Sequence, residues 1–371
     1  MTPVRSARAR TDRAASPPSS STCSAASSRS ASVSAPYRLG RPTLTDYRHI
    51  VTLRCNETRE VIVDPALAPV GQHAFGGRLE RFRLLRRELF ARRGLELDEH
   101  QVIRRDGSRI HLLSSGGGDD EVTVFVHGGV GNSAEWADVA PRVTGRVAIV
   151  DTPGFGLSDP LPSPIDDWGR ACASWLLDVV DAIGAARVRL VGCSMGGFAA
   201  IRFAAAHPDR VTGLTLAGSA GGLFADIGLF LRLWTVPGVG KAVSRLPLRD
   251  PEAVRRRMFG PYVADPARIA DDVLAVALAG VNLPGAREAS RAVIRSVADA
   301  RGWKPAARVD ALLVAADVPT AFVWGDADIH ASPDVARALA AQMSAARVVV
   351  VPAAGHIPHL DHPDAVADAI R

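Results

Sequence analysis

Cysteine is scarce, with Cys23, Cys55, Cys172 and Cys193 the only four in 371 residues, and so few, so scattered, exclude both a disulfide-stapled fold and a CxxC metal knuckle. A reducing, cytoplasmic setting is the expectation, with no metal. Lysine is scarcer still, Lys241 and Lys304 standing against 42 arginines. No apolar run reaches the ~18 residues a membrane-spanning helix needs, because Asp226 and Arg232 interrupt the greasiest stretch, 222–236. Stable membrane insertion is therefore not expected. What remains, 47% apolar and 22% charged residues, is an ordinary globular composition that excludes wholesale disorder and coiled coil.

The net charge of +5 points towards an anionic partner only if it is spread over the fold, and it is not. Residues 1–45 hold seven Arg against the single acid Asp12, a net of +6, so the remaining 326 residues sum to −1. Nucleic-acid binding loses its electrostatic basis, and no basic, aromatic-rich motif restores it. The same 45 residues carry eleven Ser and five Pro and almost no large apolar side chain. They are expected to be a disordered basic tail; the composition also fits an organelle transit peptide but not a secretory signal, which needs an apolar core.

Residues 46–99 read as an extension of uncertain structure containing one helix, Leu79 to Arg93. Leu79, Phe82, Leu85, Leu89 and Phe90 form its apolar stripe. Its arginines, Arg81, Arg83, Arg86, Arg87, Arg92 and Arg93, are expected on a solvated face. Beyond residue 100 a hairpin comes first, Val102–Arg104 and Arg109–Ser114 around Asp106-Gly107. Short apolar runs follow at Val122–Val126, Val147–Val150, Val188–Val191, Leu214–Ala217, Thr320–Trp324 and Val348–Val351. They are too hydrophobic for one wet face and so predict strands buried on both sides. Helices fall between most of them, including Asp167–Ile183 before Gly184 and Met195–Ala206 before Pro208. Alternation of this kind predicts an α/β fold, a mainly parallel sheet flanked by helices, with sites beyond the carboxyl ends of its strands.

Those strand ends carry the chemistry. Gly192-Cys193-Ser194-Met195-Gly196 lies between a buried strand and a helix, the context of a nucleophile elbow. The two glycines leave room for neighbouring backbone, and Ser194 is offered at a helix N-terminus, where the Met195 amide favours a developing oxyanion. Cys193 is expected to point away as a small buried hydrophobe. Serine is inert at neutral pH without a base, and a base needs an acid to hold its tautomer. His356 follows the strand Val348–Val351, and Asp326 and Asp328 both follow Thr320–Trp324.

With the order Ser194, acid, His356 in place, the sequence over residues 100–371 resembles the α/β-hydrolase superfamily in its serine-nucleophile branch. The resemblance includes His127-Gly128-Gly129, Asp151-Thr152-Pro153-Gly154-Phe155-Gly156 and the closing Gly355-His356 with Asp361 and Pro363. It implies Asp328, three residues after Gly325, as the acid; oxyanion-hole amides from Met195 and Gly129, with Val130 as substitute; and His127 as an organiser of that loop. It also implies that residues 220–311 form a helical lid between the sixth and seventh strands of a core made of 100–219 and 312–371. In that lid helices are expected at Phe224–Val236, Pro251–Phe259, Ile269–Ala279 and Ala286–Val297, with Phe230, Trp234, Met258, Phe259 and Tyr262 as candidate pocket lining.

The expected activity is cofactor-independent cleavage of a small, largely apolar ester through an acyl-enzyme. The alternatives are hydrolysis of a carbon–carbon bond in a ring-cleavage product, against which stands the absence of a tryptophan in Ile357-Pro358-His359-Leu360, and a binding protein that keeps the fold without turnover. The partner is a small-molecule substrate; no oligomeric state follows from the sequence.

Overall fold

In the computed structural model the description covers residues 51–55, 59–64, 76–116, 121–162, 164–224, 227–243 and 248–370; the expected tail, 1–45, lies outside it. Ten strands make one sheet: β1 (Val51–Cys55), β2 (Arg59–Asp64), β3 (Asp98–Ile103), β4 (Arg109–Ser114), β5 (Val122–Val126), β6 (Arg146–Val150), β7 (Val188–Cys193), β8 (Val211–Ala217), β11 (Thr320–Gly325) and β12 (Ala346–Val351). A separate two-stranded ribbon joins β9 (Ala298–Asp299) to β10 (Gly302–Trp303). The sheet runs β1-β2-β3-β4-β6-β5-β7-β8-β11-β12. The first four strands are antiparallel, and β4 meets β6 antiparallel; from β6 onward every pairing is parallel. The predicted hairpin is β3–β4, with Val102 opposite Ile110.

Parallel pairing requires crossover helices, and these cover both faces. The helix α2 (Trp168–Ala182) is capped by the Asp167 side chain, which accepts from the Arg170 amide, and it turns Trp168, Cys172, Trp175, Leu176 and Val179 inward. It packs with α3 (Met195–Ala206), α9 (Asp310–Ala316) and α10 (Pro333–Ala340) on one apolar cluster. On the other face lie α1 (Gly76–Arg92) and α12 (Pro363–Ile370), with α11 (Pro358–Asp361) beside them. Each large apolar side chain buried this way contributes roughly 1.5–3 kcal/mol.

Between β8 and β11 stands a helical insertion: α4 (Gly228–Thr235), α5 (Val239–Val243), α6 (Pro251–Val254) with a wider turn through Phe259, α7 (Asp271–Val281) and α8 (Ala286–Val297). The short α5 and the β9–β10 ribbon were not legible in the sequence, since five- and two-residue elements leave no periodicity to read.

Two expectations need correction. The last strand, β12, is half-exposed along most of its length, because among the described strands it stands at the sheet edge, with β11 as its one neighbour. The helix α1 does expose Arg81, Arg87 and Arg92, but Arg86 is fully buried. At helical spacing Arg86 falls on the same face as Phe82, Leu89 and Phe90. Its guanidinium meets Asp151 at 2.8 Å, Glu99 at 3.3 Å and the Ser133 hydroxyl at 3.1 Å.

Candidate active site

Ser194 sits at the junction of β7 and α3 with φ 50° and ψ −116°, a strained backbone for a residue with a β-carbon. The turn is sharp enough that a β-carbon at Gly192 would fall 2.7 Å from the backbone of Gly196 and Gly197, while one at Gly196 would strike the Val126 carbonyl. Those collisions explain the glycines of the GxSxG spacing. Half-buried Ser194 opens α3, so the free amides of its first turn and the positive end of the helix dipole surround it. Cys193 is buried in the apolar layer, and burial pushes its thiol well above the usual range, as expected of an inert packing residue.

The loop after β5 lies against the nucleophile. A β-carbon on Gly128 would be 3.5 Å from Ser194 Cβ, and one on Gly129 would be 3.5 Å from Met195 Cγ. Gly129 thereby lies against the Met195 side chain. Val130, next along, adopts a positive φ of 63°. His127 fastens this loop: its Nε2 accepts from the Thr152 amide at 2.9 Å, which leaves Nδ1 to donate to the Gly128 carbonyl at 2.7 Å. Burial lowers its pKa, so the ring is neutral and spent on structure.

His356 follows β12, and its Nδ1 lies 3.1 and 3.2 Å from the two carboxylate oxygens of Asp328. Burial alone would raise the Asp328 carboxyl. The hydrogen bond and charge of His356, with the amides of His330 and Ser219, outweigh that and hold it at about 2. Asp326, the rival acid, is exposed, and its amide continues the strand pairing to Val351. Of the two carboxylates, the structure brings Asp328 to the histidine.

A third partner was invisible in the sequence. Ser219, just past β8, donates its amide to Asp328 Oδ2 at 2.9 Å and sets its hydroxyl 3.0 Å from His356 Nδ1. The same turn holds the nucleophile, since the Gly221 amide donates to the Ser194 carbonyl at 2.9 Å. Gly218, with φ +79°, lets the His356 carbonyl approach so closely that a β-carbon there would strike it. One short segment after β8 therefore ties together the loops that carry Ser194, Asp328 and His356. The histidine loop is also pinned from the insertion: the Ile357 amide donates to the Tyr262 carbonyl at 3.0 Å, and Asp361 accepts from the amides of Gly355 (2.8 Å) and Ala264 (3.1 Å).

The insertion places its aromatic residues unevenly. The Tyr262 ring lies 5.8 Å from that of His356. Met258 and Phe259 instead fill the apolar cluster shared with α7 and α12. Trp234 is half-buried at the edge of the opposite cluster, and Phe230 lies on α4 with its side chain outside the described set. Three rings that the sequence did not mark as lining complete the surroundings. His330 meets His356 edge-on at 4.5 Å and stacks on Phe224 at 4.7 Å, and Phe224 meets Trp303 at 5.3 Å. The tip of Trp303 and the Met195 sulfur both border Gly221, so this aromatic group reaches the nucleophile's turn. His330 carried a signal, being two residues past Asp328; Trp303, in a two-residue strand, carried none.

Comparison with known proteins gives the same architecture. Residues 122–363 match the family model described as the alpha/beta hydrolase fold. The chain is 30% identical over 277 residues, 70% of its length and 90% of the relative's, to a 2-hydroxy-6-oxononadienedioate/2-hydroxy-6-oxononatrienedioate hydrolase of Cupriavidus pinatubonensis. It is 31% identical over 252 residues, 67% of its length and 74% of the relative's, to a pimeloyl-[acyl-carrier protein] methyl ester esterase of Neisseria meningitidis. A crystal structure of a carboxylesterase from Bacillus subtilis superposes with a TM-score of 0.62 at 20% identity, covering 79% of this chain and 97% of that one, a likeness of fold.

Proposed function

Because the chain belongs to the alpha/beta hydrolase fold family, we propose that it is a serine hydrolase cleaving a small, largely apolar ester through an acyl-enzyme. The observation that carries this reading is the strained Ser194 on one side of the 218–221 turn and the Asp328–His356 pair on the other. In the proposed reaction His356 takes the Ser194 proton as the hydroxyl attacks the substrate carbonyl. Asp328 and Ser219 keep the Nδ1–H tautomer, and the carboxylate steadies the imidazolium. The Met195 and Gly129 amides receive the oxyanion. His356 returns its proton to the leaving group, then activates water to release the acyl group. The reading needs no cofactor.

Residues 220–311 serve in this proposal as the lid over a core made of 100–219 and 312–371. Phe224, Tyr262 and Trp303 supply the apolar wall beside His356. Such a wall favours uncharged acyl groups, each buried methylene contributing about 0.8 kcal/mol, so two added carbons raise kcat/KM about tenfold until the cavity fills.

A second reading, hydrolysis of a carbon–carbon bond in a ring-cleavage product, has one observation in its favour: the 30% identity to a dienedioate hydrolase. A panel of p-nitrophenyl esters from acetate to decanoate, a succinyl ester and a 2-hydroxy-6-oxo-dienoate separates the two. The ester reading expects a peak at short to medium chain length, poor use of the succinyl ester, and a shift towards longer chains in Trp303→Ala. A dienoate turned over at least about tenfold faster than the best ester would transfer the assignment to the carbon–carbon hydrolases, and binding without turnover of any of them would favour a non-catalytic member.

A further inference from the structure

Behind the oxyanion loop lies a pair of ionisable groups that the triad does not use. Glu135 belongs to a 3₁₀ turn, Ser133–Trp136, capped by the Asn132 side chain. Its Oε2 accepts from the Gly128 amide at 3.2 Å. A β-carbon placed on Gly128 would stand 3.8 Å from that oxygen and 3.5 Å from Ser194 Cβ, so the carboxyl and the nucleophile both flank Gly128. Its Oε1 occupies the space over Gly131, where a β-carbon would collide with it. The carboxyl thus braces both ends of the segment whose middle, Gly129, faces Met195.

Its neighbour is no cation. His359 on α11 is fully buried, stacks on Trp136 at 4.2 Å and brings Nε2 to 3.9 Å from Glu135 Oε2, and neither of its ring nitrogens has a hydrogen-bond partner among the described residues. Other groups facing the turn are neutral or already engaged. From the β5 loop comes the neutral His127, from the end of β7 the Cys193 thiol, and from the β12 loop His356, bound to Asp328. From α1 Arg86 is spent on Asp151 and Glu99, and from α7 Asp272 is spent on Arg93.

We propose that Glu135 is a positioning residue of the oxyanion hole that works in its protonated form, so that its ionisation adds a second group, besides His356, to the pH profile of the reaction. The inference rests on the serine-hydrolase reading. As a neutral acid Glu135 keeps its carbonyl oxygen on the Gly128 amide and leaves the field at the Gly129 and Met195 amides positive. Once ionised, it puts a negative charge a few ångströms from the site where the oxyanion forms, and acylation slows. Burial pushes this carboxyl up to about 7, against the pull of the Gly128 amide, whereas Asp328, Asp151 and Glu99 are all held below their ordinary values.

The test is the rate at which a fluorophosphonate labels Ser194 between pH 5 and 9, in the wild type and in Glu135→Gln, which keeps the shape and an acceptor oxygen but cannot ionise. The wild type is expected to lose about tenfold in labelling rate above pH 7; Glu135→Gln is expected to lose that fall. An alkaline fall that survives in Glu135→Gln, or a loss of rate equal at every pH, overturns the inference while leaving the triad reading intact. Absence of labelling at Ser194 at any pH instead removes the triad reading, and the inference with it. Should Glu135→Gln fail to fold, the infrared C=O stretch of a buried carboxylic acid in the wild type decides: present at pH 6 and lost by pH 9 if the inference holds, absent or unchanged if it does not.

Discussion

Two side chains, Asp328 and Ser219, converge on Nδ1 of His356, and the three residues differ in what a sequence can reveal. Asp328 was legible because it stands three residues past Gly325 in a turn with a known pattern. His356 was legible from the closing Gly-His. Ser219 was not, because a lone serine past a strand end has no spacing to mark it; only folding brings it 3.0 Å from Nδ1. The same contrast separates the two acids. Asp328→Asn is expected to lower kcat/KM by about three orders of magnitude, since an amide at that site no longer enforces the correct tautomer or balances the imidazolium. Asp326→Asn, at an exposed site, is expected to stay within about threefold. Steady-state kinetics of the two variants on the same ester checks the ranking, and the reverse order would move the acid two residues upstream.

Among the elements, α1 shows how composition misleads when periodicity is ignored. Six arginines in 13 residues suggested a wet face, yet Arg86 shares the apolar stripe and closes a buried network with Asp151, Glu99 and Ser133. Asp151 also accepts from the amides of Ser133 (2.9 Å) and Leu157 (3.0 Å), so the network fixes the segments that follow β5 and β6. Breaking a buried pair by removing one partner leaves an uncompensated charge. Arg86→Ala is accordingly expected to cost about 3–5 kcal/mol of stability at pH 7, against under about 0.5 kcal/mol for the exposed Arg87→Ala. Burial would raise Asp151 and Glu99, but the Arg86 and His111 contacts outweigh it and hold both well below the usual carboxylate range. Their depressed values mean stabilisation present in full above about pH 4 and lost as the pH falls below it. The stability gap between wild type and Arg86→Ala, followed by thermal melts, should therefore narrow on acidification; a gap independent of pH would contradict the account of the network.

At the scale of the whole molecule, the legible part was the order of things: strands alternating with helices, and motifs at the ends of β5, β7, β11 and β12 in the sequence Ser194, Asp328, His356. Order survives in a linear string because each strand end is local. Of the rings around the site Tyr262 was marked in the sequence, whereas Phe224, Trp303 and His330 were not, because they are brought together from separated turns and a ribbon too short to carry a pattern. The charge balance belongs to this scale as well, since 326 residues with a net of −1 give the fold no long-range pull on a charged substrate. The claim on which the rest depends is that Ser194 is an activated nucleophile. Intact-mass and peptide mass spectrometry after fluorophosphonate treatment tests it most directly. The account predicts one adduct per chain, on Ser194, absent in a folded Ser194→Ala variant and formed about a thousandfold more slowly in His356→Ala. A folded wild-type protein that takes no adduct at Ser194, or a Ser194→Ala variant that hydrolyses esters at the wild-type rate, would contradict it.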